Sequence, residues 1–385
     1  MAYNYRPLIT GTFCLCLEKE NMMTRSLILS LVLVALILPA CEQSGPQVAR
    51  LVPASVGGHA FITLPAKYNT PDGMTLAKDG NIYLCMPNFN DPAYPAKLLK
   101  IDANNLVSEV CTLPVHPETN RVCPLGIDQG PDGNLYIADC QAFEVPNVGE
   151  PRKGSPDKSR VLRVVLAEGK ASKVEVLACG INFANGLACN GDSVYVCDSQ
   201  VDAKASPVVS GVYRFKMSEL KADKPVQVTP GGKDKHLITT FKTVNKDWGV
   251  GANGLGFDKA GNMFVCNFGD AQLLKYQMKD GAPVGAGKVF AEKQGMQSTD
   301  GLKVDDEGNV YIADFLGNAV HKVDAKTGKV TTLAQNPNTN GANGLLDKCS
   351  EVCIRGDWIY VANIDLNLAG NAFDKPYTLT IIPKK

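Results

Sequence analysis

Four short segments place an oxygen-bearing side chain directly ahead of a glycine: Asp72-Gly73, Asn185-Gly186, Asn253-Gly254 and Asp300-Gly301. Carboxylate and amide oxygens are hard ligands, and in a ring they suit calcium. Two carboxylates balance the charge of a divalent ion, while two amide oxygens fill coordination positions without quenching its Lewis acidity. The same dipeptides are common turn formers and could do no more than start strands. The two readings part on whether the fold brings the four residues together.

The elements that would position them are written in an internal repeat. Asp79-Gly80-Asn81-Ile82-Tyr83-Leu84-Cys85 and Gly308-Asn309-Val310-Tyr311-Ile312-Ala313-Asp314 are two of six copies of a turn followed by an alternating strand; the others start at Asp132, Gly191, Gly261 and Gly356. An apolar segment before each turn, such as Gly301-Leu302-Lys303-Val304, reads as an inner strand joined by a hairpin. A third strand follows each copy, as at Ala319 to Val323, and usually a fourth, as at Val330 to Leu333. Four strands in each of six repeats predict an all-β, six-bladed β-propeller occupying residues 60–385 as one domain. The last blade ends with Tyr377 to Ile382 as its third strand, so its fourth is expected from Ala60 to Leu64, which closes the ring.

In this register Asp72, Asn253 and Asp300 stand eight residues ahead of their turn glycines, and Asn185 six ahead because its hairpin is shorter. All four then open an inner strand at one mouth of the central channel. Leu125 takes that place in blade two, and Asn343, thirteen before Gly356, is the candidate in blade six if 348–352 is an insertion. The strand-end residues Asp198, Asn267 and Asp314 lie at the same mouth, one strand further out. Together with Asn343 they are candidates for a polar surround that orients the ligands, with strand capping as the other reading. Long connections at 86–96, 141–158, 199–209 and 364–375 predict a mouth walled on that side and open over blades four and five. The small residue recurring at one strand position, Cys85, Ala138, Cys197, Cys266, Ala313 and Ala362, fits close sheet packing near the ring centre.

Composition narrows the function classes. The chain has 385 residues, 45% of them hydrophobic, with 39 Lys plus Arg against 39 Asp plus Glu. A core can form, and no basic surplus exists to grip nucleic acid by counterion release. Near the N-terminus Arg25 precedes an apolar run from Leu27 to Leu38, too short to span a bilayer but suited to a secretory signal. It ends Leu38-Pro39-Ala40-Cys41, which resembles a bacterial lipobox and marks Cys41 for lipidation. The expected organisation is a signal and lipobox region at 1–41, of which 1–21 reads as an upstream mis-start, then a linker at 42–59. The protein is thus expected in the cell envelope, in the periplasm or at the cell surface, anchored to membrane through lipid only and monomeric, with a small molecule as its substrate. An oxidising envelope would allow disulfides, with Cys349 and Cys353 or Cys111 and Cys123 as sequence-near candidates whose connectivity stays open.

From Ala60 to its end, the chain resembles the six-bladed calcium-dependent hydrolases of the gluconolactonase, luciferin-regenerating enzyme and senescence marker protein family. Diisopropyl fluorophosphatase and paraoxonase are more distant relatives. In those enzymes a first-blade carboxylate, asparagines from middle blades and a fifth-blade aspartate hold a catalytic calcium. The resemblance implies the same for Asp72, Asn185, Asn253 and Asp300, with Asp300 also the nucleophile or base. Three features depart from the family. The first-blade ligand is usually Glu, one methylene longer than Asp72. The Arg-Phe-Asn-Asp-Gly stretch of the sugar lactonases is Asn182-Phe183-Ala184-Asn185-Gly186 here, without its Arg. A paraoxonase-like histidine pair has no counterpart among His59, His116, His236 and His321. The implied function is calcium-assisted hydrolysis of a lactone, ester or phosphoester. The alternatives are a non-catalytic NHL-type propeller, which Gly317-Asn318-Ala319-Val320-His321-Lys322-Val323 also resembles, and a metal-free fold like strictosidine synthase.

Overall fold

The computed structural model describes residues 59–385 apart from 92, 145–152, 168 and 203. The signal and lipobox region, Cys41 and nearly all of the linker lie outside the described residues. Those described fall in one compact unit, 45–385. Among them no helix is long and apolar enough to cross a membrane.

Six antiparallel sheets follow one another along the chain as six blades. The innermost strands are Met74–Leu76, Pro124–Gln129, Ala184–Asn190, Ala252–Phe257, Leu302–Val304 and Cys349–Arg355. In blade six the strands run Cys349–Arg355, Trp358–Asn363, Thr378–Pro383 and then Ala60–Thr63, whose Ala60 pairs with Ile381 and Thr63 with Thr378. The N-terminal strand therefore closes the ring. Blade two departs from four strands, because Val226–Gln227 adds a fifth, parallel to Ala178 and Cys179.

The repeat has a local cause. Asp79 accepts hydrogen bonds from the Asn81 backbone (3.0 Å) and amide side chain (2.8 Å) and from the Tyr83 hydroxyl (3.0 Å), tying the turn to its strand. Asp132 with Asn134 and Tyr136, and Asp305 with Asn309 and Tyr311, repeat the bonding. The turn glycines Gly80, Gly133, Gly261 and Gly308 share a φ of 80 to 84°, a region open to glycine at little cost.

The recurring small residues are fully buried, and burial pushes the Cys85, Cys197 and Cys266 thiols well above their ordinary range, away from reactivity. The disulfide candidates are not bonded. Cys111, Cys349 and Cys353 carry free thiols, and Cys349 Sγ donates to the Ala319 carbonyl at 3.1 Å.

Candidate functional site

The four oxygen-bearing residues come together. Asp72, Asn185, Asn253 and Asp300 line one cavity at the mouth of the central channel, with Leu125 and Ser350 completing a ring of one residue from each blade. The glycine behind each of the first five ring residues explains how they get there. A Cβ on Gly73 would lie 2.1 Å from the Leu125 carbonyl oxygen, one on Gly186 2.1 Å from that of Asn253, and one on Gly254 2.6 Å from that of Asp300. Each blade thus presses its inner strand onto the backbone of the next, and only glycine permits the approach. None of these glycines has a positive φ, so the Asp-Gly and Asn-Gly pairs here are packing devices rather than turns.

Blade six differs from the reading that put Asn343 in the ring. Asn343 sits exposed in a 3-10 turn, Ala342–Gly344, at a left-handed φ of 58°. The pairing of Val352 with Val361 and of Glu351 with Ala362 matches Leu255 with Val265 in blade four, where Gly254 lies opposite Cys266. Ser350 therefore takes the ring place, and Glu351 stands where the other blades have glycine. The sequence signal was obscured because the oxygen-plus-glycine signature is absent. The register of Ala362 would have found it.

Electrostatically the ring is acid without a cation of its own. Burial, then the charge of Glu351, pushes the Asp72 carboxyl up to about 7 against the relief given by Ser350 and Lys303. Removal from water, then Asp72 and Glu351, holds Asp300 well above the usual carboxylate range, although Asn253 hydrogen-bonds it. Lys303 is engaged elsewhere, with its Nζ 3.2 Å from Glu351. Asn185 donates to Ser199 Oγ at 3.2 Å, which leaves its carbonyl oxygen available. Two carboxylates and two amide side chains lining one cavity, with the repulsion of the acids only partly relieved, are a donor set that fits calcium.

The strand-end residues hold chain segments in place. Asp198 accepts from the Asn182 and Phe183 amides, and Asp314 from those of Gln297 and Ser298, just ahead of Asn185 and Asp300 respectively. Asn267 accepts from the Thr243 hydroxyl at 2.8 Å. None of the three lines the cavity, so any influence on the ring runs through the backbone. His321 is buried against Asp314 at 3.2 Å, while His236 pairs with Asp234 at 2.7 Å.

Above the ring stands an apolar collar. Phe89, Phe143, Phe183, Trp248, Phe268 and Phe315 line the cavity, with Ile364, Leu366 and Leu368 from blade six. Neighbouring rings touch, with centroids 5.2 Å apart for Phe89 and Phe143 and 6.3 Å for Phe268 and Phe315. The short connections of blades four and five thus also contribute aromatic wall, beyond the one-sided wall expected from loop length. The space between collar and ring, its open mouth included, is about 590 Å³. The collar had a sequence signal in the apolar residue directly after a strand-end Asn or Asp, as in Asn267-Phe268, Asp314-Phe315 and Asn363-Ile364.

Residues 239–344 match the family profile described as the SMP-30/Gluconolactonase/LRE-like region. No curated protein matches the chain in sequence. Among solved structures, a luciferin-regenerating enzyme aligns at a TM-score of 0.54 and 14% identity, covering 83% of this chain and 96% of that one. Regucalcin from Agrobacterium tumefaciens, described as a calcium-binding protein, aligns at 0.53 and 15%, covering 85% and 96%. A gluconolactonase from Xanthomonas campestris aligns at 0.50 and 15%, covering 87% and 91%. At these identities the structures speak for the fold, and the profile match is confined to 239–344. The chain is a six-bladed propeller whose residues 239–344 match an SMP-30/gluconolactonase/LRE-like region.

Proposed function

We propose that the protein is a calcium-dependent hydrolase of lactones, esters or phosphoesters whose non-reacting part is apolar. The observation that carries this is the placement of Asp72, Asn185, Asn253 and Asp300 in one cavity beneath an aromatic collar. The four side chains would hold the ion, and bound there it would polarise the substrate's carbonyl or phosphoryl oxygen. Asp300 lines the cavity at the ring and would attack the substrate or take a proton from water. Asn253 orients it through their hydrogen bond. The collar excludes water and favours an aryl or acyl group over a polyhydroxylated sugar. This agrees with the missing Arg ahead of Phe183.

Calcium calorimetry combined with hydrolysis of an aromatic lactone and of glucono-1,5-lactone tests the proposal. Asp72→Asn should weaken calcium binding and recover part of its activity at high calcium. Asp300→Asn should stay about 100-fold down at saturating calcium, the scale of a lost general base or nucleophile. Turnover at the wild-type rate in Asp300→Asn removes its catalytic role; unaltered calcium binding in both variants points instead to a non-catalytic propeller. Preference for the sugar lactone would contradict the role given to the collar.

The location proposed is the cell envelope, with the propeller tethered through lipid on Cys41. Metabolic labelling with a fatty acid should mark the wild type and not Cys41→Ser. Equal label in both would refute the anchor.

A further inference from the structure

The top of blade six holds a second group of acids, separate from the central ring. Asp347 precedes the inner strand Cys349–Arg355, while Asp365 and Asp374 come from the connection between Trp358–Asn363 and Thr378–Pro383. One oxygen from each lies within 4.8 Å of the other two. Asp347 and Asp365 are each 1% exposed, and Asp374 is open to solvent, which leaves a way in. None of the three forms an ion pair with a described Lys or Arg. Lys348, next to Asp347 in sequence, lies over the Phe315 ring, 5.5 Å from its centroid.

Two buried oxygens in this group have no partner, which is independent of the clustering of charge. Asp347 Oδ1 accepts no hydrogen bond. Asn371, 5% exposed, donates through Nδ2 to Asp365 Oδ1 (2.8 Å) and to the Leu366 carbonyl (3.1 Å), while its Oδ1, on the same amide beside the carboxylates, is also unpartnered. Buried oxygens left unpaired are costly and point to a missing electrophile. Burial, then the charge of Asp374, pushes the Asp347 carboxyl up against a hydrogen bond with Asp365, and burial, then the charge of Asp347, pushes Asp365 up.

We infer that Asp347, Asp365, Asp374 and the Asn371 amide form a second cation site that takes calcium. Calcium bonds of about 2.3–2.6 Å set opposite ligands roughly 4.6–5.2 Å apart, and oxygens within 4.8 Å of one another fall inside that span. The position gives the ion a consequence. Asp365 lies between Ile364 and Leu366, both part of the collar, so an ion on Asp365 fixes the blade-six wall of the central cavity.

The test is calcium stoichiometry in the full-length protein, by calorimetry on the wild type, Asp365→Asn and Asp300→Asn. Two ions in the wild type with one in Asp365→Asn is the expected result. A single wild-type ion that is lost in Asp365→Asn and kept in Asp300→Asn also upholds this site while removing the central one. Unchanged stoichiometry in Asp365→Asn overturns it. Should that variant fail to fold, terbium replaces calcium in the wild type. Tyr377 feels the charge of Asp365 and Asp374 and should sensitise terbium emission, which Tyr377→Phe should abolish. Absence of tyrosine-sensitised emission, or its persistence in Tyr377→Phe, overturns the site.

Discussion

Five blades put glycine behind the residue that faces the channel, and the sixth puts Glu351 there. In blades one, three and four that glycine makes room for the carbonyl of the next blade's ring residue. In blade five it makes room for something else as well: a Cβ on Gly301 would lie 2.4 Å from Glu351 Oε1. Blade six therefore inserts a carboxylate beneath the ring, anchored by Lys303 and by the Val352 amide, instead of repeating the backbone contact. Sixfold packing is interrupted at one blade, and the interruption adds a third acid close enough to raise both Asp72 and Asp300. Steric need fixes where the ring residues sit, and the irregular blade adjusts the charge they experience.

The comparison is broken most severely by Gly186→Ala. Its Cβ would meet the Asn253 carbonyl and force blades three and four apart at the ring, a loss of about 3 kcal/mol on the scale of overpacked cores, read by chemical denaturation. A loss below about 1 kcal/mol would show that the blades yield easily. Glu351→Gly gives blade six the pattern of the others. It should fold, but with Lys303 unpaired under the ring, calcium affinity should fall roughly tenfold, equal to about 1.4 kcal/mol. Unchanged affinity would mean that the Lys303–Glu351 pair is electrically remote from the ring. The smallest effect is expected for Gly80→Ala, where nothing lies within 4 Å and only the left-handed φ opposes a side chain, at about 1 kcal/mol. A cost equal to that of Gly186→Ala would place the glycine requirement in backbone conformation rather than in packing.

The propeller was legible because its repeat is chemical as well as hydrophobic, with Asp, Asn and Tyr making the same three bonds at several turns. The first, third, fourth and fifth ring positions were legible because close blade contact demands glycine after them, so each left a two-residue mark. Blade six was misread for the same reason: with Glu351 in place of glycine the mark is gone, and Asn343-Gly344 offered a false copy. Gly344 has its own cause, since a Cβ there would lie 1.9 Å from the His59 carbonyl oxygen. The collar was missed because single apolar residues after strands look like ordinary core until the six connections converge. The fifth strand of blade two, Val226–Gln227, was too short to carry any periodicity.

Ring closure has a kinetic side. Ala60 and Ile381 are neighbours in the sheet although nearly the whole domain separates them along the chain. Contacts of such long sequence separation form late, because the entropy of closing the intervening loop must be met before they stabilise anything. During synthesis the strand Ala60–Thr63 has to wait for Thr378–Pro383 to emerge, so five blades can assemble as an open arc before the last one is latched. A latch formed after the main barrier to folding slows unfolding more than it speeds folding. The pairing of Ala60–Thr63 with Thr378–Pro383 would then determine how long the folded protein persists, more than how quickly it forms.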